Sequence, residues 1–303
     1  MPVPVPAPLP ASGTIDGGAG PLRFEVVGTG PDTVIIPLGA WLRDSLAAVG
    51  EGHVVVFYDP RHRGASVELR DSTAATFDGD VADLEAIRTG LRLTRVAVLG
   101  YDYYAAVVAA WAATHPAHVS RVVLLSPIEP ADSLARAFDP PARRARIDTV
   151  AARALVKARA AGRDTSDLAG YCEQFWAVNA PVFLADTALA SRWRAPWCTH
   201  PNESPGRVAA AVAPVLDSLG PDVDLAARAA GLRVPVLVIH GREDLVANPE
   251  GAREWARRLP DARLLRLRDT GHLPFVEAAA TLRRAVDFFL LGHWPPLAER
   301  VER

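Results

Sequence analysis

Short runs of β-branched and other apolar residues recur along this chain, and most are followed by a stretch with helical spacing. Leu22–Val27 and Thr33–Pro37 read as strands, the second nearly all β-branched. His53–Tyr58 (HVVVFY) is a valine-rich run closed by Asp59-Pro60, the pattern of a strand buried on both faces. Asp80–Leu91 then places Val81, Leu84, Ile87 and Leu91 at three- and four-residue intervals, which predicts an amphipathic helix. Val96–Leu99 predicts a strand, Tyr103–His115 an alanine-rich helix stopped by Pro116, and Val122–Leu125 a further strand. Strand alternating with helix implies a mainly parallel sheet whose crossover helices cover both faces.

From Glu129 to Leu232 the pattern changes to helix-like periodicity, rich in Ala, Arg, Pro and Trp, with no convincing strand. Alternation resumes with a strand at Val234–His240, a helix over Asn248–Leu259, a strand at Ala262–Leu267 and a last helix from Pro274 to Leu291. The expected organisation is therefore a flexible Pro-rich tail (1–20), an α/β core (21–128 and 233–303) and a helical cap (129–232). An excursion between two strands of one sheet should cover the site at their carboxyl ends. A chain of 303 residues is long enough for such an insertion.

Charge narrows the partners. With 33 basic and 35 acidic residues the net charge is −2, so no electrostatic footprint for nucleic acid or an anionic membrane is present. A small-molecule substrate is the expected partner, and no cofactor or metal is expected. The start, MPVPVPAPLPASG, lacks a basic region and an unbroken apolar run, so it does not read as a secretory signal. No stretch approaches the ~20 apolar residues of a membrane helix. Cys172 and Cys198 are too few for a disulfide framework and fit no zinc spacing, which leaves a cytoplasmic location as the simplest expectation.

Three loop segments stand in the order that a nucleophile, an acid and a histidine base would require. Val98-Leu99-Gly100-Tyr101-Asp102-Tyr103-Tyr104 runs a strand straight into a helix. His240-Gly241-Arg242-Glu243-Asp244 follows the next-to-last strand, and Asp269-Thr270-Gly271-His272-Leu273-Pro274 follows the last. These segments resemble the α/β-hydrolase superfamily over roughly residues 20 to 292. The loop YDPRHRGAS at 58–66 and the run YCEQFW at 171–176 are similar to its proline-iminopeptidase-like branch. The resemblance implies an α/β-hydrolase fold with a helical cap and puts Asp102 at the apex of the nucleophile elbow, where serine is usual. Aspartate occupies that apex in epoxide hydrolases and haloalkane dehalogenases. The simpler reading is that Asp102 only caps the helix beginning at Tyr103.

The residue type at the apex restricts the chemistry. A carboxylate attacking an ester carbonyl makes an anhydride-like species that expels the carboxylate again. Attack on a saturated electrophilic carbon instead leaves a stable alkyl ester of Asp102. His272 would activate the water that hydrolyses it, and Asp244 would orient His272 and stabilise the imidazolium. Glu129 is a reserve acid. The resemblance assigns oxyanion donation to the backbone N–H of Tyr103 with that of Ala40 or Trp41, although Leu38-Gly39 replaces the family's usual His-Gly pair. Tyr101, Tyr104, Tyr171 and Trp176 are expected to line the substrate pocket, with a cap or elbow tyrosine as proton donor. Arg61 and Arg63 are expected to hold their own loop, and the Arg143–Arg146 and Arg153–Arg163 runs to face solvent.

The leading expectation is an epoxide-hydrolase-like, cofactor-independent hydrolase. The first alternative is a non-hydrolytic cyclase, lyase or isomerase using Asp102 as base or anchor. The second is a ligand-binding member of the fold without catalysis.

Overall fold

The computed structural model describes residues 9–68, 75–131, 138–220 and 222–302. Among the described residues eight strands form one sheet: β1 (Ser12–Asp16), β2 (Pro21–Val27), β3 (Thr33–Pro37), β4 (Val54–Tyr58), β5 (Val96–Tyr101), β6 (Val119–Leu125), β7 (Val236–Gly241) and β8 (Ala262–Leu267). Their spatial order is β1-β2-β4-β3-β5-β6-β7-β8. β1 and β2 pair antiparallel, as do β2 and β4, and every other pairing is parallel. All residues of β5 and β7 are buried, which requires cover on both faces of the sheet. This is the mainly parallel, doubly covered sheet that the alternation of strand and helix implied, in the α/β-hydrolase fold that the resemblance implied.

The cover comes from helices that pack in separate groups. Helix α2 (Phe77–Gly90) packs on α3 (Tyr103–Thr114), while α1 (Gly39–Leu46) packs with the helices at Pro274–Glu277 and Ala279–Leu290. Thr76 starts α2 by accepting a hydrogen bond from the Gly79 N–H, and Asp78 and Asp80 complement the helix dipole in its first turn. α3 is buried from Tyr103 to Ala112, so alanine there is a packing requirement that lets the helix lie close to β5 and β6.

Two expectations are corrected here. The segment 1–20 is not a flexible tail throughout: Ser12–Asp16 form β1, in register with Pro21–Glu25 of β2. Gly17 to Gly20 close the hairpin, with Gly18 at φ 80, and residues 1–8 lie outside the described residues. Cys172 and Cys198 are joined in a disulfide. The cysteine count therefore gives no argument for a reducing compartment. No described helix is long and apolar enough to cross a membrane.

Between β6 and β7 the described residues form helices, the longest at Leu168–Phe183 and Pro205–Leu219, and one isolated bridge between Ala131 and Asp224. Several contacts tie this segment to the core, three of them close to the loops at the sheet's carboxyl edge. Glu203 is buried against the loop after β4, where its carboxylate accepts from Arg63 Nη2 (2.7 Å) and the Gly64 N–H (2.6 Å). Arg143 donates to the carbonyls of Leu245 and Val246, at 2.6 and 3.0 Å. Phe183 O accepts the backbone N–H of His272 at 2.7 Å.

Candidate active site

The loops that carry Asp102, Asp244 and His272 leave the carboxyl ends of β5, β7 and β8. That is the edge of a parallel sheet at which ligands collect in this class of fold. The turn after β5 is tight. A Cβ on Gly100 would lie 2.2 Å from the Tyr104 carbonyl oxygen, so only glycine permits α3 to start so close to the strand. Asp102 takes φ 53 and ψ −125, a strained conformation for a residue with a side chain. Its backbone is held there by donation of its N–H to Leu125 O (3.0 Å) and acceptance from the Ala105 N–H (3.1 Å).

The Asp102 side chain makes no cap hydrogen bond to α3. The simple capping reading therefore fails. Its carboxylate is instead 40% exposed and lies 3.6 Å from Nε2 of His272, whose side chain is 1% exposed. On the other side of the ring, His272 Nδ1 lies 2.8 Å from Asp244 Oδ2. Asp244 is fixed in turn, because its other oxygen accepts the N–H groups of Val246 (2.7 Å) and Ala247 (2.9 Å). The three residues picked out in the sequence thus converge on one line of acid, imidazole and acid.

Electrostatics follow from that line. Burial pulls the His272 pKa down, but the charges and hydrogen bonds of Asp244 and Asp102 outweigh it and push the pKa up to about 10. Burial works against ionised Asp244 as well, yet His272 holds its pKa below the ordinary carboxylate value. His240, also fully buried, has Nε2 3.3 Å from Asp244 Oδ2, and desolvation lowers its pKa. Glu129, the reserve acid, accepts the Asn248 N–H at 2.6 Å and so fixes the loop beyond Asp244.

The expected oxyanion donors are only partly free. The Ala40 N–H donates to Asp59 Oδ1 (2.8 Å) and the Trp41 N–H to Leu38 O (2.9 Å). The cause is local: Leu38 adopts the left-handed conformation (φ 64, ψ 49) and α1 begins at once at Gly39. Tyr103 is the first residue of α3, where the helix geometry leaves its N–H without an intrahelical acceptor.

The tyrosines separate into two sets. The Tyr101 ring stands 5.3 Å from the His272 ring and 5.1 Å from Phe275, with its hydroxyl buried and unpartnered among the described residues. Tyr104 does not join it. It is buried beside Tyr103 and shares a small void with Arg61, His62 and Asp80, while Tyr103 donates its hydroxyl to Asp80 Oδ2 at 2.8 Å. Burial raises the Asp80 carboxyl to about 7. Tyr171 is buried beside the cap disulfide, with Arg159 and Asp164 as its charged neighbours, and nothing places it against Asp102. Trp176 sits in a ring cluster with Trp41 (5.6 Å), Trp197 (5.3 Å) and Phe183 (4.9 Å).

Sequence reasoning missed two supporting residues, Glu203 and Glu277. Trp197 stacks on Trp41 at 4.0 Å, with its indole N–H buried and unpartnered among the described residues. Glu203 accepts the Trp41 indole N–H at 2.6 Å. Glu277 accepts the Gly271 N–H (2.6 Å) and the Asp186 N–H (3.0 Å), joining the histidine loop to the cap. Arg63, expected to hold its own loop, crosses to Glu203 instead. Nor do Arg143 and Arg146 face open solvent: both guanidinia are spent on backbone carbonyls. Only Glu277, three residues into the last helical segment, carried any sequence signal, as an acid at a helix start.

The family model described as alpha/beta hydrolase fold matches residues 38–279, and the chain belongs to that family. A curated relative, the pimeloyl-[acyl-carrier protein] methyl ester esterase of Aromatoleum aromaticum, is 50% identical over 56 residues. That stretch is 18% of this chain and 22% of that protein. The meta-cleavage product hydrolase of Pseudomonas fluorescens superposes with a TM-score of 0.69 at 18% identity, over 92% of this chain and 97% of that one. The proline iminopeptidase of Mycobacterium smegmatis gives 0.67 at 21% identity, over 93% and 98%. At such identities the structural likeness speaks for the fold alone.

Proposed function

We propose that the protein is a cofactor-independent hydrolase in which Asp102 attacks a saturated electrophilic carbon, with an epoxide-like small molecule as substrate. One observation carries this reading: a part-exposed carboxylate at a strained elbow, bound to no helix N–H, facing a histidine that a second carboxylate orients. A carboxylate oxygen bonds to the epoxide carbon, the carbon–oxygen bond breaks, and the alkoxide takes a proton. Protonated His272, its Nε2 3.6 Å from Asp102, is the donor, and giving up that proton leaves it the neutral base that the second step needs. Water then adds to the Asp102 carbonyl carbon as His272 accepts its proton, and the alkyl oxygen leaves as the second hydroxyl of a diol.

The cluster of Trp41, Trp176 and Trp197 offers an apolar wall for the substrate's carbon skeleton. Ester hydrolysis, the activity in the name of the curated relative, is disfavoured because carboxylate attack on an ester reverses through its anhydride. A second reading is favoured by one specific observation. The N–H groups of Ala40 and Trp41 are already committed, which weakens support for a tetrahedral oxyanion and suits Asp102 as a base in a cyclisation, elimination or isomerisation. Incubation with styrene oxide and mass analysis of the product tests both. The expected outcome is the diol, gaining one water, with the rate cut at least ~10³-fold in Asp102→Asn. An isomer of unchanged mass would establish the second reading, and full activity of Asp102→Asn would end the first.

A further inference from the structure

A groove of about 600 Å³ opens on the outer edge of the sheet, away from the Asp102 loop, between β8, the last helix and the segment at 295–299. Its volume is that of a small-molecule site. Leu265 and Leu267 of β8 form part of its floor, with Phe288 and Leu297 at its margin. The latter two are 41% and 89% exposed, an unusual state for large apolar side chains that lie side by side around one depression.

The rim is cationic. Arg242, Arg266, Arg268 and Arg284 line it against one acid, Glu299. Glu299 is already paired with Arg266 at 2.6 Å, and among the described residues Arg284 reaches only the Thr281 hydroxyl. Arg242 and Arg268 are exposed and make no side-chain hydrogen bond or ion pair among the described residues. Two guanidinia thus stand uncompensated beside an apolar trough. A second copy of this chain would bring the same arginines against themselves, which like-charge repulsion opposes.

We infer that this groove binds a small anionic amphiphile, its carboxylate or phosphate head held by Arg242 and Arg268 and its hydrocarbon tail laid along Leu265, Leu267, Phe288 and Leu297. Guanidinium suits such a head because its N–H donors pair with two oxygens at once. The tail replaces water over surface that is otherwise exposed. Both arginines also lie on the loops of the candidate active site, Arg242 two residues before Asp244 and Arg268 four before His272. The groove is nevertheless separate from that site, and its occupancy does not depend on the reaction there.

Calorimetric titration of the full chain with decanoate, decan-1-ol and butyrate tests the inference. Decanoate should bind one to one, with decan-1-ol and butyrate each about tenfold weaker or more, since one lacks the charge and the other the tail. Arg242→Gln with Arg268→Gln should weaken decanoate to the level of decan-1-ol. Phe288→Asp should weaken it independently, and all three positions are exposed and can be changed without opening the core. Failure of decanoate to bind, equal binding of decan-1-ol, or decanoate affinity unchanged in both variants would each overturn the inference. So would binding of an acidic peptide in its place.

Discussion

At the scale of single residues, the protonation of His272 is decided by its two acidic neighbours. Buried imidazole prefers to be neutral, yet Asp244 and Asp102 together hold its proton to about pH 10. In the free protein at neutral pH His272 is therefore protonated, and on the proposed route it would act as the acid that protonates the nascent alkoxide. On that route Asp102 would become an uncharged alkyl ester, so His272 would lose one of its two supports and turn into the base that activates water. Asp102→Asn imitates that loss of charge. It should lower the His272 pKa markedly, as followed by the imidazole resonances in an NMR titration, and an unchanged pKa would show that Asp102 has no part in holding the proton. The sign for stability follows from linkage. The folded pKa lies above the ordinary histidine value of about 6.5, so the stabilisation is complete below that pH and is lost as pH rises through about 10. In Asp102→Asn that loss should move to lower pH.

At the scale of elements, the segment 196–204 closes the cap onto the core. It brings Trp197 onto Trp41, Glu203 onto Arg63 and Trp41, and Cys198 onto Cys172 of the helix at Leu168–Phe183. A pair 26 residues apart closes a loop whose constraint on the unfolded chain is worth about 3 kcal/mol. Cys172→Ser with Cys198→Ser should lower unfolding stability by about that much in urea titration. A midpoint unchanged from the parent would show that the cap is held by its other contacts. None of this was legible in the sequence. A buried ion pair between residues 140 apart has no local pattern, and a lone pair of cysteines has no spacing rule. The strands were legible because each is an apolar run, whereas β1 was hidden: SGTID is polar and short, as an edge strand can be.

At the scale of the whole molecule, one sheet delivers three loops to a common edge, and that is why order along the chain was enough to find Asp102, Asp244 and His272. Which way the elbow tyrosines point was not legible in the sequence. Tyr101 faces His272, but Tyr104 turns toward Asp80 and Arg61, because α3 rotates successive side chains by about 100° and Gly100 takes the backbone, not the side chain, of residue 104. The phase of the cap helices relative to a distant core is set by tertiary ties such as Glu203 and Arg143, which no local periodicity encodes.

The central claim is that Asp102 forms a covalent ester. It is tested most directly by a single turnover of styrene oxide with excess protein in heavy-oxygen water, followed by digestion and mass analysis of the Asp102 peptide. The account predicts heavy oxygen in the Asp102 carboxylate and ordinary oxygen in the first diol released. Diol carrying the heavy oxygen, with Asp102 unlabelled, would contradict it.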